Sequence, residues 1–377
     1  MSGIYLHIPF CKQACHYCDF HFSTSLKKKS ELIEAMRREI VLRKKELNGP
    51  LETIYFGGGT PSLLDEDELN TILSQIRDQF ETIDDPEITL EANPDDITED
   101  KLIAWRRAGV NRLSIGIQSF FEEDLKWMNR AHNAEEAFHC IELAKPYFDN
   151  ISVDLIYGVP GMGMDRWKEN LQRFLGLDVP HISCYALTVE QGTALDYFIR
   201  KGKVRPPEDE LADAHYQLML DELQEEGYEN YEFSNFGKPG YFSRNNLGYW
   251  MGKPYLGIGP SAHSYDGSSR SWNVANNVNY IQSLQKGELP LERELLTKVD
   301  RFNEMVMTRL RTQFGLNLEE VAHEFGVQIK DHLMEMAGPL LQEGMMETKG
   351  DILQVTRKGK FLTDGISSRL FLLNLGD

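Results

Sequence analysis

Short apolar or alternating runs recur along the first half of the chain, each ending in polar or glycine-rich residues and each followed by a helical pattern. Strands are predicted over Ile4–Ile8, Thr53–Phe56, Ile88–Glu91, Arg112–Gln118, Ile151–Tyr157 and Ile182–Leu187. Between the second and third, Leu69, Ile72, Leu73, Ile76 and Phe80 fall on one stripe of an amphipathic helix. Asn133 followed by Glu136 has the spacing of a capping box and opens another helix before the fifth strand. A repeating strand–helix order implies parallel strands with right-handed crossovers, in an open sheet or a barrel. The polar residues choose between them: a loop of cysteines, Gly57-Gly58-Gly59-Thr60, Glu91, Gln118 and Asp154 all lie at or just past successive strand ends. The carboxyl-terminal rim of a barrel gathers residues in this way, whereas one crevice of an open sheet does not. The expected fold is α/β, a six-stranded partial (β/α)6 TIM-type barrel over residues 1–190.

Past that unit, Pro206-Pro207 precedes a helix with Ala212, Tyr216, Met219, Leu220 and Leu223 on one stripe. Gly227–Trp250 and Tyr255–Ser264 are rich in aromatics, Asn and Gly and match no regular element, so residues 191–299 read as a cover region of binding loops. From residue 300 to 377, Asn317 and Glu320 cap one short helix, a second follows near Ile329–Leu341, and Met345–Phe361 alternates around Lys349-Gly350 like a hairpin. That is the pattern of a small α+β, winged-helix-like appendage. Such units often bind DNA, but this one carries 9 Lys+Arg against 12 Asp+Glu, which argues for a packing role.

The composition narrows the function. With 377 residues, 41% hydrophobic and 26% charged, the chain has ample core, and its net charge of −19 repels phosphate backbones and anionic lipid. No nucleic-acid partner is expected. No apolar run reaches about 18 residues, and the first residues have neither the basic start nor the unbroken apolar stretch of a signal peptide. No membrane span and a cytoplasmic location are therefore expected. Cys140 lies on a helical stripe with Ala137, Ile141 and Ala144, and Cys184 reads as a packed strand residue.

The other three of the five cysteines stand together, as Cys11-Lys12-Gln13-Ala14-Cys15-His16-Tyr17-Cys18, directly after the first strand. Thiolates select soft metals, and three of them are an incomplete set. A cuboidal iron–sulfur cluster with three protein ligands leaves one iron open; zinc, completed by His7, His16 or His21, is the competing reading.

This Cys-x3-Cys-x2-Cys loop resembles the signature of the radical S-adenosylmethionine (radical SAM) superfamily. The stretches Tyr5–Cys11, Phe56–Ser62, Glu91–Pro94, Asn111–Phe120 and Asp154–Gly161 are similar to the branch holding the oxygen-independent coproporphyrinogen III oxidases and the HemW heme chaperones. The resemblance implies that Cys11, Cys15 and Cys18 bind a [4Fe–4S] cluster whose open iron takes the amine and carboxylate of S-adenosylmethionine. Electron transfer into the sulfonium would then yield a 5′-deoxyadenosyl radical. It further implies that Tyr5, Gly58, Gly59, Thr60, Glu91, Gln118, Arg130, Asp154 and Ala186 line the S-adenosylmethionine site. The residue types suit these roles: glycines let backbone approach a ligand amine or carboxylate, Thr60 adds a hydroxyl, Glu91 and Asp154 accept from a ribose or ammonium, and Arg130 offers a fork to a carboxylate.

Two departures choose within the branch. The oxidases resemble Cys-x3-Cys-x2-Cys-x-Cys, but the residue two past Cys18 is Phe20, and only ten residues precede Cys11, leaving no length for the arm that covers an oxidase site. The expected function is thus that of a heme chaperone, binding heme and passing it to an acceptor protein, with a reductant serving the cluster. The alternative is a coproporphyrinogen III oxidase, decarboxylating tetrapyrrole propionates. Relatives of the chaperone carry a His-Asn-x-x-Tyr-Trp segment associated with heme; here it reads Asn245-Asn246-Leu247-Gly248-Tyr249-Trp250. An amide is a poor iron ligand. Either heme stacks on Tyr249 and Trp250 with an axial ligand from elsewhere, such as His263 or Cys184, or these rings simply pack their loop.

Overall fold

The computed structural model describes residues 2–373. Its main sheet contains Ser2–Ile8 (β1), Leu51–Gly58 (β2), Thr82–Ala92 (β3), Arg112–Gln118 (β4), Asn150–Tyr157 (β5) and His181–Ala186 (β6), each parallel to the next. These are the six strands expected from the sequence. The sheet does not stop there, and six strands is a correction to make. Glu229–Glu232 (β7) and Asn235–Gly237 (β8) add antiparallel beyond β6. Tyr255–Ile258 (β9) lies parallel to β1, followed outward by His263–Tyr265 (β10), Ser269–Asn273 (β11) and Leu291–Leu295 (β12). The whole is a mixed sheet of twelve strands, so part of what was expected to be cover loops is sheet. The added strands run only three to five residues, too short to show a period, and β12 is exposed at nearly every position.

Alternation along β1–β6 sorts the two faces. Ile4, Leu6 and Ile8, Ile54 and Phe56, Leu113, Ile115 and Ile117, Val153 and Leu155 join one apolar core with the helices. Helix Glu66–Gln79 contributes Leu69, Ile72, Leu73 and Ile76, as its stripe predicts, and Ala134–Ala144 opens on the anticipated capping box of Asn133 and Glu136. The intervening positions are polar: Tyr5 and His7, Thr53 and Tyr55, Glu87, Thr89 and Glu91, Arg112 and Ser114, Ser152 and Asp154, His181 and Ser183. Successive strand residues face opposite ways, so these share the sheet's other face. Barrel interiors are ordinarily filled by branched apolar side chains. A polar inner face is costly to bury and has to be spent on hydrogen bonds or on a ligand.

At the amino ends of the strands it is spent internally. Residues 244–250 form a helix, Arg244–Trp250, and buried Glu87 accepts from the backbone N–H of Arg244 (3.0 Å) and of Asn245 (3.1 Å) and from the Ser243 hydroxyl (3.5 Å). Thr53 donates to the Asn245 amide oxygen at 3.1 Å. The His181 ring bonds the Ser152 hydroxyl (2.7 Å) and the Tyr231 hydroxyl (2.7 Å), and Ser183 donates to Asn235 at 2.7 Å.

The C-terminal part has its own apolar cluster, including Phe302, Val306, Leu316, Val321, Phe325, Leu333 and Leu353. Helices Leu318–Phe325 and Val327–Gln342 pack with a three-stranded antiparallel sheet of Leu316–Asn317, Ile352–Val355 and Met346–Lys349. The hairpin turns at Gly350, in the left-handed region at φ 60°, but Arg357–Leu362 coils into a 3-10 turn instead of continuing the strand to Phe361. Among the described residues no helix is long and apolar enough to cross a membrane.

Candidate functional site

At the carboxyl ends of β1–β6 the chain leaves a cavity of about 390 Å3. Cys11, Cys15 and Cys18 line it, with Gly58, Gly59, Thr60, Glu91, Gln118, Arg130, Asp154 and Ala186. Of the residues expected to hold the cluster or S-adenosylmethionine, Tyr5 alone is absent from that lining. It sits one layer down, stacked on Tyr55 at 6.0 Å, with its hydroxyl 3.2 Å from His7 Nδ1.

The cysteine loop is tied in place by its neighbours. Lys12 bonds Asp95 at 2.7 Å and also pairs with Asp96. The Gln13 amide donates to Asn129 Oδ1 (2.9 Å), Asn129 returns a bond to the Ala14 carbonyl (2.7 Å), and Asn129 takes a left-handed backbone, φ 57°, to do so. His16 N–H donates to the Met128 carbonyl (3.1 Å), while its ring bonds the Trp127 carbonyl (2.8 Å). The exit of the loop is held by His7 Nε2 on the His21 carbonyl at 2.8 Å. Two of the three histidines that a zinc reading would recruit are thus bonded to backbone carbonyls. Among the described residues, no three His, Cys, Asp or Glu side chains form a group that could hold a single metal ion.

Glycine is required where the loop crosses β2. A side chain on Gly59 would stand 2.7 Å from the Phe10 carbonyl oxygen, and Gly58, at φ 104°, would put its Cβ 2.5 Å from His7 Nδ1. The N–H groups of this run are already taken: Gly58 donates to Glu91 at 3.2 Å and Gly59 to the Ile8 carbonyl at 2.9 Å. Arg130 is likewise engaged. Its two terminal nitrogens reach Asn93 Oδ1 (2.8 Å), the Gly116 carbonyl (2.8 Å), Cys15 Sγ (3.3 Å) and the Tyr17 hydroxyl (3.5 Å), while buried Nε has no partner. Within the chain, the Arg130 fork joins the ends of β3 and β4 to the cysteine loop and still lines the cavity. Gln118, at the end of β4, has a left-handed φ of 66°, a conformation that a non-glycine residue holds only when its surroundings enforce it.

Electrostatics at this end are unbalanced. Burial raises the Glu91 carboxyl to about 7, against the lowering effect of the Tyr55 hydroxyl that donates to it at 2.8 Å. Burial raises Asp154 to about 6, against hydrogen bonds from Ser183 and from Ser114, the latter at 3.1 Å. Burial also raises Cys11, and lifts Cys18 to about 11. Burial thus holds these carboxyls and thiols toward their neutral forms, and a cationic guest or a metal would favour the charged ones.

Sequence reasoning missed Asn93, Tyr17, Ser114, Phe22 and Tyr185, all of which line the cavity or anchor the groups that do. Ser114 and Tyr185 were legible by alternation, as inward positions of β4 and β6. The mouth carries two exposed aromatics, Phe20 (62% exposed) and Tyr185 (45%), and of these Phe20 has no local signature.

Residues 245–250, where the resemblance led us to expect a heme contact, lie elsewhere, at the amino ends of the strands. Tyr249 meets Tyr255 edge-on at 4.6 Å, the Arg311 guanidinium lies 5.4 Å from the Trp250 ring centre, and the cavity beside Asn245 is only about 10 Å3. That is room for no more than a water. Cys184, 1% exposed, is core, as is Cys140 at 3%; His263 is exposed and stacked on Trp272 at 6.1 Å.

Residues 5–174 match the radical SAM superfamily and residues 296–362 the HemN C-terminal domain. The heme chaperone HemW of Bacillus subtilis is 32% identical over 367 residues, covering 96% of this chain and 97% of that protein. The heme chaperone HemW of Mycobacterium tuberculosis is 35% identical over 371 residues, 97% and 93% of the two chains. The solved structure of coproporphyrinogen III oxidase (HemN) from Escherichia coli superposes with a TM-score of 0.85 over 98% of this chain and 90% of that one, at 24% identity, a likeness of fold. The chain belongs to the radical SAM superfamily and, within it, to the family of the HemW heme chaperones.

Proposed function

We propose that Cys11, Cys15 and Cys18 hold a [4Fe–4S] cluster with one iron left for S-adenosylmethionine, and that the protein binds heme and hands it to an acceptor protein in the cytoplasm. A reductant would serve the cluster. The observation that carries this reading is the gathering of three thiols and the ends of β2–β6 around one cavity whose carboxyls burial holds toward their neutral forms despite the nearby Arg112 and Arg130. A cationic guest favours their charged forms, and a cluster, by its irons, accepts the thiols as thiolates. When bound, the cluster supplies an electron to the sulfonium of S-adenosylmethionine.

The chain's own residues then have distinct tasks. With their N–H groups occupied, Gly58 and Gly59 have carbonyl oxygens to give an incoming amine, and Thr60 adds a hydroxyl. Glu91 and Asp154 act as acceptors for the ammonium and ribose, Gln118 and Ala186 close the wall, and Tyr5 supports Glu91 from below through Gly57. Arg130 positions Cys15 and the ends of β3 and β4. Heme, flat and apolar, is best received by the exposed aromatic mouth of Phe20, Phe22 and Tyr185, because the Asn245 end is filled by its own side chains.

In this reading residues 1–190 act as a six-stranded partial barrel of the radical SAM type, 191–299 extend and cover it, and 300–377 form a winged-helix-like packing unit. Support for the last comes from its separate apolar cluster. An anaerobic hemin titration tests the function. Saturation near about one equivalent is expected, weakened by Phe20→Ser and untouched by Trp250→Phe, with no conversion of coproporphyrinogen III. Turnover of that porphyrinogen would establish the oxidase instead, and an unsaturable titration would remove heme from the account.

A further inference from the structure

Where the C-terminal part meets the main sheet, the chain encloses a second cavity, of about 320 Å3. Its walls come from the helix Asp209–Glu225, the region of β7, the end of the helix Lys298–Leu310, and the hairpin with its 3-10 turn. Four lining side chains are cationic, Arg311, Lys349, Arg357 and Lys360, against the single carboxylate of Glu347. That reverses the charge of the molecule as a whole, which is −19.

These cations are unequally satisfied. Lys349 pairs with Glu347 at 2.9 Å, and Arg357 and Arg311 turn to Asp221 and Asp364, each at 2.6 Å and each outside the cavity lining. Lys360 has no carboxylate partner among the described residues and reaches only the side-chain oxygen of Asn230. Burial pulls its ammonium down to about 8, which leaves it charged at neutral pH. Arg311 retains a buried Nε–H with no acceptor, while its guanidinium lies 5.3 Å from the Phe233 ring centre and 5.4 Å from that of Trp250. A largely buried lysine without a carboxylate partner and an arginine with an orphan buried N–H, on the wall of one cavity, are costly unless a guest brings acceptors.

We propose that this cavity binds a small oxyanion, a phosphate or carboxylate group, held by Lys360 and Arg311 with Arg357 at the rim. Phosphate and carboxylate oxygens both match an arginine fork beside a lysine. Because the walls come from both parts of the chain, the guest links the C-terminal hairpin to β7 and stabilises their contact by mass action.

The test is calorimetric titration of the full-length protein with sodium pyrophosphate and, separately, with citrate, at ionic strength held constant with sodium chloride. Saturable one-site binding of at least one of them is expected, and which of the two binds distinguishes the phosphate from the carboxylate source. Lys360→Gln and Arg357→Gln each weaken it about tenfold or more, whereas Lys145→Gln, at an exposed lysine paired with Glu142 away from this cavity, leaves it unchanged. Circular dichroism checks folding; should Lys360→Gln unfold, Arg357→Gln decides alone. No saturable binding of either oxyanion, or binding by the folded variants as tight as by the parent, overturns the proposal.

Discussion

The two ends of the same parallel strands are built from the same kind of residue and have opposite fates. At the amino ends, Glu87, His181, Ser183 and Thr53 are consumed by Asn245, Tyr231, Asn235 and the start of the helix Arg244–Trp250. At the carboxyl ends, Glu91, Asp154, the thiols and Gly58–Thr60 open on a cavity of about 390 Å3. The inward face is largely polar at both ends, so polarity alone does not mark a site. What separates structure from function here is whether later parts of the chain return to satisfy the buried groups.

Breaking the open end should abolish chemistry and spare the fold. Cys15→Ser is expected to remove all cluster absorbance and iron while circular dichroism and melting stay close to the parent, because Cys15 lies outside the apolar core and its loop is held by Lys12, Gln13 and His16. Breaking the closed end should do the reverse. Glu87→Ala strands two backbone N–H groups and the Ser243 hydroxyl, at a cost of about 2–4 kcal/mol read by denaturant unfolding, with S-adenosylmethionine affinity unchanged.

A pH series sharpens the contrast further. Glu91, raised to about 7, and Asp154, raised to about 6, both hold protons in mildly acid solution, and a cationic ligand needs them ionised. S-adenosylmethionine affinity of the cluster-loaded protein should therefore rise from about pH 5.5 to about pH 7.5, with Glu91→Gln flattening the upper part of the rise. The stability sign is opposite. Carboxyls in the unfolded chain ionise near about 4, so between there and about 7 the folded state holds the extra protons, and the stability these groups contribute falls as pH rises. The smallest effect is expected from Asn245→His, which places at a filled position the histidine that the resemblance led us to expect: about 1–2 kcal/mol of lost stability and no gain in hemin affinity. A tighter, spectrally shifted hemin complex would show that the closed end opens for heme.

Legibility in the sequence followed the same division. The strands β1–β6, the capped helix after Asn133 and the strand-end residues were readable because period, caps and glycines are local signals. β7–β12 were not, since strands of three to five residues show no period, and β8 and β9 are placed by β6 and β1, distant in the chain. Gly58, Gly59 and the cysteines announced themselves by type and spacing. The true partners of Arg130 did not, because Asn93 and the Gly116 carbonyl reach it only once β3 and β4 are side by side. Nor did the closure of the Asn245 end, which depends on Glu87, 158 residues away along the chain.

The central claim is a cluster anchored by three sulfurs with one iron free for the methionyl group of S-adenosylmethionine. Metal analysis and electron paramagnetic resonance on anaerobically purified, reduced protein test it directly. About four iron and four sulfide per chain, and a cluster signal that changes when S-adenosylmethionine is added, are the predicted results. Stoichiometric zinc, or a cluster whose signal is indifferent to S-adenosylmethionine, would contradict the account.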